Sequence, residues 1–184
     1  MFIVLGVCAV VEHMTAYPVR PDARGAVPRA IVTAGHSPAL LIPVVGVARS
    51  ELRDSFGTAR SGHRHAAIDI MAPRGTPAIA AVSGTVLKLY QSGAGGLTVY
   101  LVDDEGLTVY YYAHLDAYAA RLRESDHVAA GRVLGYVGTT GNATPNRPHL
   151  HFGIEHLPPT REWWKGEAVD PYPILMASGE TVGR

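Results

Sequence analysis

The sequence is poor in cysteine, in net charge and in long apolar runs. Its single Cys excludes an intramolecular disulfide framework and a zinc site built from cysteines. Lys and Arg number 16 and so do Asp and Glu, so the chain lacks the basic surplus of a nucleic-acid binder. The longest apolar run, Phe2 to Val11, is far shorter than the ~20 residues that a transmembrane helix needs. We therefore expect no nucleic-acid partner and no transmembrane span.

The same apolar run has the character of the central part of a signal peptide. No Lys or Arg occurs before Arg20, and no small-x-small cleavage site is evident. An ordinary N-terminal strand or a misplaced start are the alternatives. We divide the 184 residues into a lead-in over 1–45, one domain over 46–158 and a C-terminal tail over 159–184 that packs on the domain.

Abundant turn residues favour a strand-rich fold, because the chain has 20 Gly and 13 Pro. Two alternating runs, Leu97–Val102 and Leu107–His114, predict a β-hairpin around an Asp- and Gly-containing turn. The segment Ala117–Glu124 predicts a short helix. Further strands are predicted at Thr85–Tyr90, Arg132–Val137 and His149–Glu155. The expected fold class is all-β, an antiparallel sheet or sandwich with few short helices.

Nine histidines are the unusual feature of the composition, and two patterns group some of them. His65 and Asp69 are four residues apart, so they share a face in a helix and in a strand. His149 and His151 alternate with apolar residues, so both imidazoles are expected on one strand face, opposite the core. In the run 110–115, Tyr112 and His114 are also expected to share a face.

These patterns together predict a catalytic zinc site, which takes three N or O ligands and keeps one position open for water. His65, Asp69 and one of the two histidines at 149 and 151 supply such a set. One carboxylate and two neutral imidazoles leave a net charge of about +1, which keeps the metal electrophilic. The other histidine of the pair is then placed to take a proton from the water. His114 is expected to stabilise the charge on a tetrahedral intermediate.

Five sequence blocks surround these residues in order. They are His65-x-x-x-Asp69 with Ile70–Pro77, Ala80–Val86, Tyr112-x-His114-Leu115, Gly131–Gly141 and Pro148–Phe152. With these blocks, over roughly residues 40–157, the chain resembles peptidase family M23. These are the LytM or lysostaphin-type zinc peptidases that cut peptide bonds in bacterial cell-wall peptidoglycan.

The resemblance implies a role for each matching position. It implies that His65, Asp69 and His151 bind one zinc ion per chain, and that His149 and His114 are catalytic, with His149 as the general base. It also implies an antiparallel sheet with an open groove, peptide stems of peptidoglycan as substrate, and a periplasmic or extracellular location.

Two more residues are candidates for substrate contact because of their position near the predicted site. They are Tyr112, in the block around His114, and Asn142, in the Gly-rich loop ahead of His149. We further expect a monomer.

Two other functions fit parts of the pattern. A module of the same fold could bind and activate another wall hydrolase without catalysis, but such relatives usually lose ligands and here every ligand position is filled. The second is a zinc D-Ala-D-Ala carboxypeptidase, which belongs to another class of cell-wall peptidases. In that class, too, the last motif of the zinc site is H-x-H. Its Asp lies farther from its first His than the three intervening residues seen here, so the spacing disfavours it.

Overall fold

The structure is a computed structural model that describes residues 40–60 and 62–177. Residues 1–39 of the predicted lead-in, with the predicted targeting segment, lie outside the described residues. The described main chain contains a 3-10 turn at Arg49–Glu51, eleven strands and one α-helix. The elements are β1 Ala59–Arg60, β2 His63–Arg64, β3 Ile68–Met71, β4 Pro77–Ile79, β5 Gly84–Ser92, β6 Gly96–Asp103, β7 Thr108–Tyr118, β8 His127–Val128, β9 Val133–Val137, β10 His149–His156, β11 Glu167–Val169 and α1 Pro171–Ala177.

Nine of these strands form one antiparallel sheet. Its main path runs β11-β10-β7-β6-β5-β8, while β3 also pairs with β10 and β9 pairs with both β7 and β4. The strands β1 and β2 form a separate two-stranded ribbon. The predicted all-β antiparallel fold is confirmed.

Strand β10 shows how the alternating pattern separates core from surface. Leu150, Phe152 and Ile154 are buried in the hydrophobic core, where Phe152 packs edge-on against Tyr112 at 5.3 Å between ring centroids. The histidines at 149 and 151 therefore project from the opposite side of the strand. The apolar side fixes the register, because a slip of one residue would place every core side chain on the wrong face.

The predicted hairpin is confirmed, and the predicted helix over 117–124 is wrong. Strands β6 and β7 form the hairpin, with Val102 opposite Val109. Ala117 and Tyr118 instead extend β7 and pair with Tyr136 and Gly135 of β9. Pairing with β9 satisfies their backbone groups in the sheet, and this tertiary contact overrides a weak local helix preference.

The two ends of the described chain also contact the domain. Leu40, Val44 and Leu175 are buried in the core. Trp163 lies against Tyr100 of β6, with ring centroids 4.6 Å apart. Among residues 40–60 and 62–177, no helix is long and apolar enough to cross a membrane. The division at residues 45/46 and 158/159 stays a prediction.

The turn between β5 and β6 is joined to the loop after β9 by close backbone contacts. The amide of Asn142 donates to the Ala94 carbonyl over 3.0 Å. Gly141 has φ +74°, and a Cβ on it would overlap the Ala94 carbonyl oxygen and the Gly96 amide nitrogen. Glycine is therefore required at this junction both by conformation and by space.

Gly141→Ala is expected to destabilise the protein by about 1–3 kcal/mol, because alanine is strained at positive φ and its methyl group has no room. Urea unfolding followed by circular dichroism measures the loss. Gly93→Ala is the matched control, since a Cβ at Gly93 meets nothing within 4 Å. Equal stabilities of the two variants would show that the junction is not tightly packed.

Candidate functional site

Three neighbouring strands bring the predicted site residues together. Asp69 of β3 pairs directly with His151 of β10, and His151 pairs on its other side with Ala113 of β7. Directly opposed residues of antiparallel strands have Cβ atoms about 4.5–5.5 Å apart. The register of β10 therefore places Asp69 and His151 side by side on one face of the sheet.

His65 joins this pair from the segment just before β3. Its amide donates to the Thr58 carbonyl over 2.9 Å, and its carbonyl accepts from the Gly57 amide over 2.8 Å. These two bonds hold the buried His65 beneath the loop that precedes β1. Its imidazole then faces His151, with ring centroids 4.8 Å apart.

The three donor atoms form a nearly equilateral triangle. His65 Nε2 lies 3.1 Å from Asp69 Oδ1 and 3.1 Å from His151 Nδ1, and His151 Nδ1 lies 3.3 Å from Asp69 Oδ1. Tetrahedral zinc with bonds of about 2.0–2.1 Å requires ligand atoms about 3.3–3.4 Å apart. Two imidazoles and one carboxylate are also a common donor set for zinc, so the residues fit this metal.

The carboxylate of Asp69 gives a second test of that fit. Within the described ranges, Asp69 Oδ1 is the one buried side-chain oxygen or nitrogen without a hydrogen-bond partner. Such an atom is costly unless a cation or donor satisfies it. Burial alone raises the pKa of the Asp69 carboxyl, but the His151 and His65 imidazoles outweigh burial and hold that pKa well below its usual range. The ionised form is the one that binds a metal.

Backbone and side-chain partners orient the ligands. The Ser55 carbonyl lies 2.8 Å from His65 Nδ1. Arg60 Nη2 lies farther from the same nitrogen, at 3.2 Å. A carbonyl can only accept, so the shorter contact assigns the proton to Nδ1 and leaves Nε2 to face Asp69 and His151. The Ser55 hydroxyl accepts from the Asp69 amide over 3.0 Å. Arg60 donates to Asp69 Oδ2 over 2.6 Å, which leaves Oδ1 turned toward the imidazoles.

His149 and His114 lie beside the triangle with their rings 5.0 Å apart. His149 Nε2 is 3.7 Å from Asp69 Oδ1, and its Nδ1 donates to the Arg147 carbonyl over 2.7 Å. His114 Nδ1 donates to the Thr140 carbonyl over 2.9 Å. Burial lowers the pKa of His114 to about 4, so this imidazole is neutral near pH 7. In both rings Nδ1 is thus the nitrogen bonded to the main chain, and Nε2 is left for other contacts.

A β-bulge at Ala113 and His114 corrects the prediction for Tyr112. The pairing of β6 with β7 shifts between Leu97 and Val99, and His114 has φ +61°. The extra residue turns His114 to the groove, while Tyr112 stays fully buried and accepts a hydrogen bond from the Ala81 amide over 2.9 Å. Tyr112 and His114 thus do not share a face, and Tyr112 is not placed to contact a substrate.

Tyr111 takes the position that the sequence assigned to Tyr112. It lines the groove and lies edge-on to His151, with ring centroids 5.8 Å apart. Burial raises the pKa of Tyr111, so its hydroxyl stays protonated and can donate. Simple alternation selects Tyr112, because the bulge leaves no signal in the sequence.

The site lies in a groove of about 700 Å³ that runs across β3, β10 and β7. One wall adjoins β3 and contains Arg53, Ser55 and Arg60. The opposite wall adjoins β7 and contains the turn at 94–95 and the loop at 142–144, so Asn142 lines the groove as its predicted role requires. A groove of this volume has room for a segment of a peptide chain at the site.

Comparison with known proteins gives the family. The family model described as "Peptidase family M23" matches residues 63–171. The chain is 31% identical over 120 residues to glycyl-glycine endopeptidase ALE-1 of Staphylococcus capitis, covering 65% of this chain and 31% of the relative. It is 33% identical over 133 residues to the L-Ala–D-Glu endopeptidase of Bacillus subtilis, covering 68% and 39%. The chain therefore spans about a third of the length of these two relatives.

A solved structure agrees with the sequence comparison. The catalytic domain of the antimicrobial peptidase lysostaphin from Staphylococcus simulans matches with a TM-score of 0.56 and 28% identity. The match covers 68% of this chain and 90% of that domain. The chain belongs to peptidase family M23.

Zinc is expected to stabilise the folded protein, because the ligand triangle exists only in the native state. At a free zinc concentration of 100 times Kd the gain is about 2.7 kcal/mol, measured as a rise in the urea midpoint of metal-stripped protein. Mg²⁺ at the same concentration is expected to give no comparable rise, because imidazole ligands disfavour it.

Asp69→Ala is expected to lose this response to zinc. The control is Asp104→Ala, which removes an exposed carboxylate paired with His127 away from the groove. An undiminished zinc response in Asp69→Ala would contradict the metal assignment.

Proposed function

We propose that this member of family M23 is a zinc metallopeptidase that hydrolyses peptide bonds in bacterial peptidoglycan. The observation that supports it most is the triangle of three donor atoms at 3.1–3.3 Å, with two further imidazoles beside it. Bound there, zinc supplies an activated water and polarises the carbonyl of the scissile bond.

His65, Asp69 and His151 would hold one zinc ion per chain. Two neutral imidazoles and one carboxylate compensate only half of its charge, so the site keeps a net charge of about +1. The bond from Arg60 to the second oxygen of Asp69 directs a single carboxylate oxygen toward the other ligands. The backbone carbonyl of Ser55 keeps His65 in the tautomer that can ligate.

His149 acts as the general base in this proposal. Its Nδ1–H is fixed on the Arg147 carbonyl, so its free Nε2 takes the proton of the attacking water and later delivers one to the leaving amine. His114 is neutral and its Nδ1–H is held on the Thr140 carbonyl, so its Nε2 accepts a hydrogen bond from the attacking water and helps to orient it beside His149. Tyr111 and Asn142 contact the substrate chain from the groove.

The names of the two relatives specify different peptide bonds, glycyl-glycine in one and L-Ala–D-Glu in the other. We therefore propose peptide stems and cross-links of peptidoglycan as the substrate class, and a periplasmic or extracellular location where that substrate occurs. A non-catalytic member that activates another wall hydrolase is the competing function. The complete set of ligands and both catalytic histidines favours the enzyme.

Digestion of purified sacculi with the zinc-loaded protein tests the reaction type. We expect new peptide amines and matching carboxylates in mass spectra of the released fragments, and no products after chelation by 1,10-phenanthroline. Release of intact peptides with cleaved glycan would show a different chemistry. Zinc binding without any product would favour the non-catalytic module.

His149→Gln is expected to lower kcat by about 10²–10⁴-fold, because glutamine cannot accept the proton. Zinc content, measured by mass spectrometry of the metal, is expected to stay near one per chain. His127→Gln is the control, since His127 is exposed and pairs with Asp104 outside the groove. Full turnover by His149→Gln on sacculi would contradict the assigned role.

A further inference from the structure

The charged side chains that line the groove are mostly of one sign. Among the residues that the structure describes, three arginines line it, at positions 53, 60 and 147, and Asp69 is the single carboxylate. Arg60 and Asp69 form an ion pair with 2.6 Å between Nη2 and Oδ2, so they neutralise each other. Arg53 and Arg147 remain as the positive charges that a substrate would meet.

Arg147 is held beside the catalytic centre by its main chain. Its amide donates to the Thr144 carbonyl over 3.0 Å, and its own carbonyl accepts from His149 Nδ1 over 2.7 Å. Within residues 40–60 and 62–177, no hydrogen bond or ion pair engages its guanidinium. A fixed backbone thus presents five N–H donors to the groove next to the proposed general base.

Arg53 presents a second guanidinium on the wall that adjoins β3. Its Nη1 donates to the carbonyls of Ser50 and Leu52, each over 2.8 Å. These bonds hold the side chain in place and leave its remaining N–H groups available. Arg53 and Arg147 are thus anchored on different segments that border the same groove.

We infer that Arg147, assisted by Arg53, binds a carboxylate that the substrate carries close to the scissile peptide bond. The inference rests on the proposed function and specifies its substrate class as acidic peptides. Planar guanidinium groups match carboxylates in a two-point geometry, and zinc at the site would add to the positive potential. An uncharged peptide would bring no counter-charge to either guanidinium.

The size of the preference follows from the exposure of these arginines. A buried charge-assisted hydrogen bond discriminates strongly, but solvent screens an exposed pair. We therefore expect an advantage of about 3- to 10-fold in KM for the acidic peptide, reduced at 0.5 M KCl. The effect should fall on KM and leave kcat nearly unchanged, because the carboxylate takes no part in bond breaking.

Two matched substrates test the inference on the zinc-loaded full chain. One is a synthetic stem peptide with a free α-carboxylate on its D-Glu, and the other carries a carboxamide there. The wild type is expected to have the lower KM for the acidic peptide. Arg147→Gln is expected to raise that KM to the value of the amide peptide, and Arg53→Gln to raise it less. Arg123→Gln is the control, since Arg123 is exposed and lies outside the groove.

Equal KM values of the wild type for the two peptides, or an equal loss on both in Arg147→Gln, would overturn the inference while leaving the hydrolytic function intact. If the wild type cleaves neither peptide and no sacculi, the proposed hydrolysis fails instead. Calorimetric titration of the uncleaved peptides then decides the inference. Tighter binding of the acidic peptide that is lost in Arg147→Gln supports it, and equal binding of both peptides overturns it.

Discussion

The arrangement of the site depends on the pairing of β10 with two strands at once. β3 and β7 flank β10 on opposite sides, and the residue pairs Asp69–His151 and His151–Ala113 follow from one register. That register is fixed by the buried side chains of β10, Leu150, Phe152 and Ile154. The hydrophobic core below the sheet thus determines the distances between polar atoms above it.

Backbone carbonyls then fix the imidazoles that the register has brought together. The carbonyls of Ser55, Arg147 and Thr140 each accept from Nδ1 of one histidine, at positions 65, 149 and 114 respectively. A main-chain acceptor cannot rotate away, so each ring keeps one tautomer and one orientation. The same device serves a proposed metal ligand and two proposed catalytic groups, which makes the site largely preorganised.

The loops that border the groove form its walls and contribute charged side chains to it. Gly141 allows the loop after β9 to approach the turn at Ala94, and this contact supports the carbonyl of Thr140 that orients His114. Arg53 and Arg147 come from segments that differ in sequence position by almost the length of the domain. Only the fold places both at one groove, which is the basis for their proposed joint binding of a carboxylate.

Local patterns in the sequence were sufficient for the five strands β5, β6, β7, β9 and β10. They were also sufficient for the zinc-type ligand chemistry and for the candidate residues His65, Asp69, His149 and His151, because spacings of two and four residues set which side chains share a face. The choice of His151 over His149 as ligand came from the family resemblance, and the structure places the His151 nitrogen 3.3 Å from Asp69 Oδ1. Tertiary structure alone decided that Ala117 and Tyr118 extend β7 and that a bulge turns His114 away from the side of Tyr112, into the groove that Tyr111 lines. Strand pairing and bulges are contacts between distant segments, so no local periodicity encodes them.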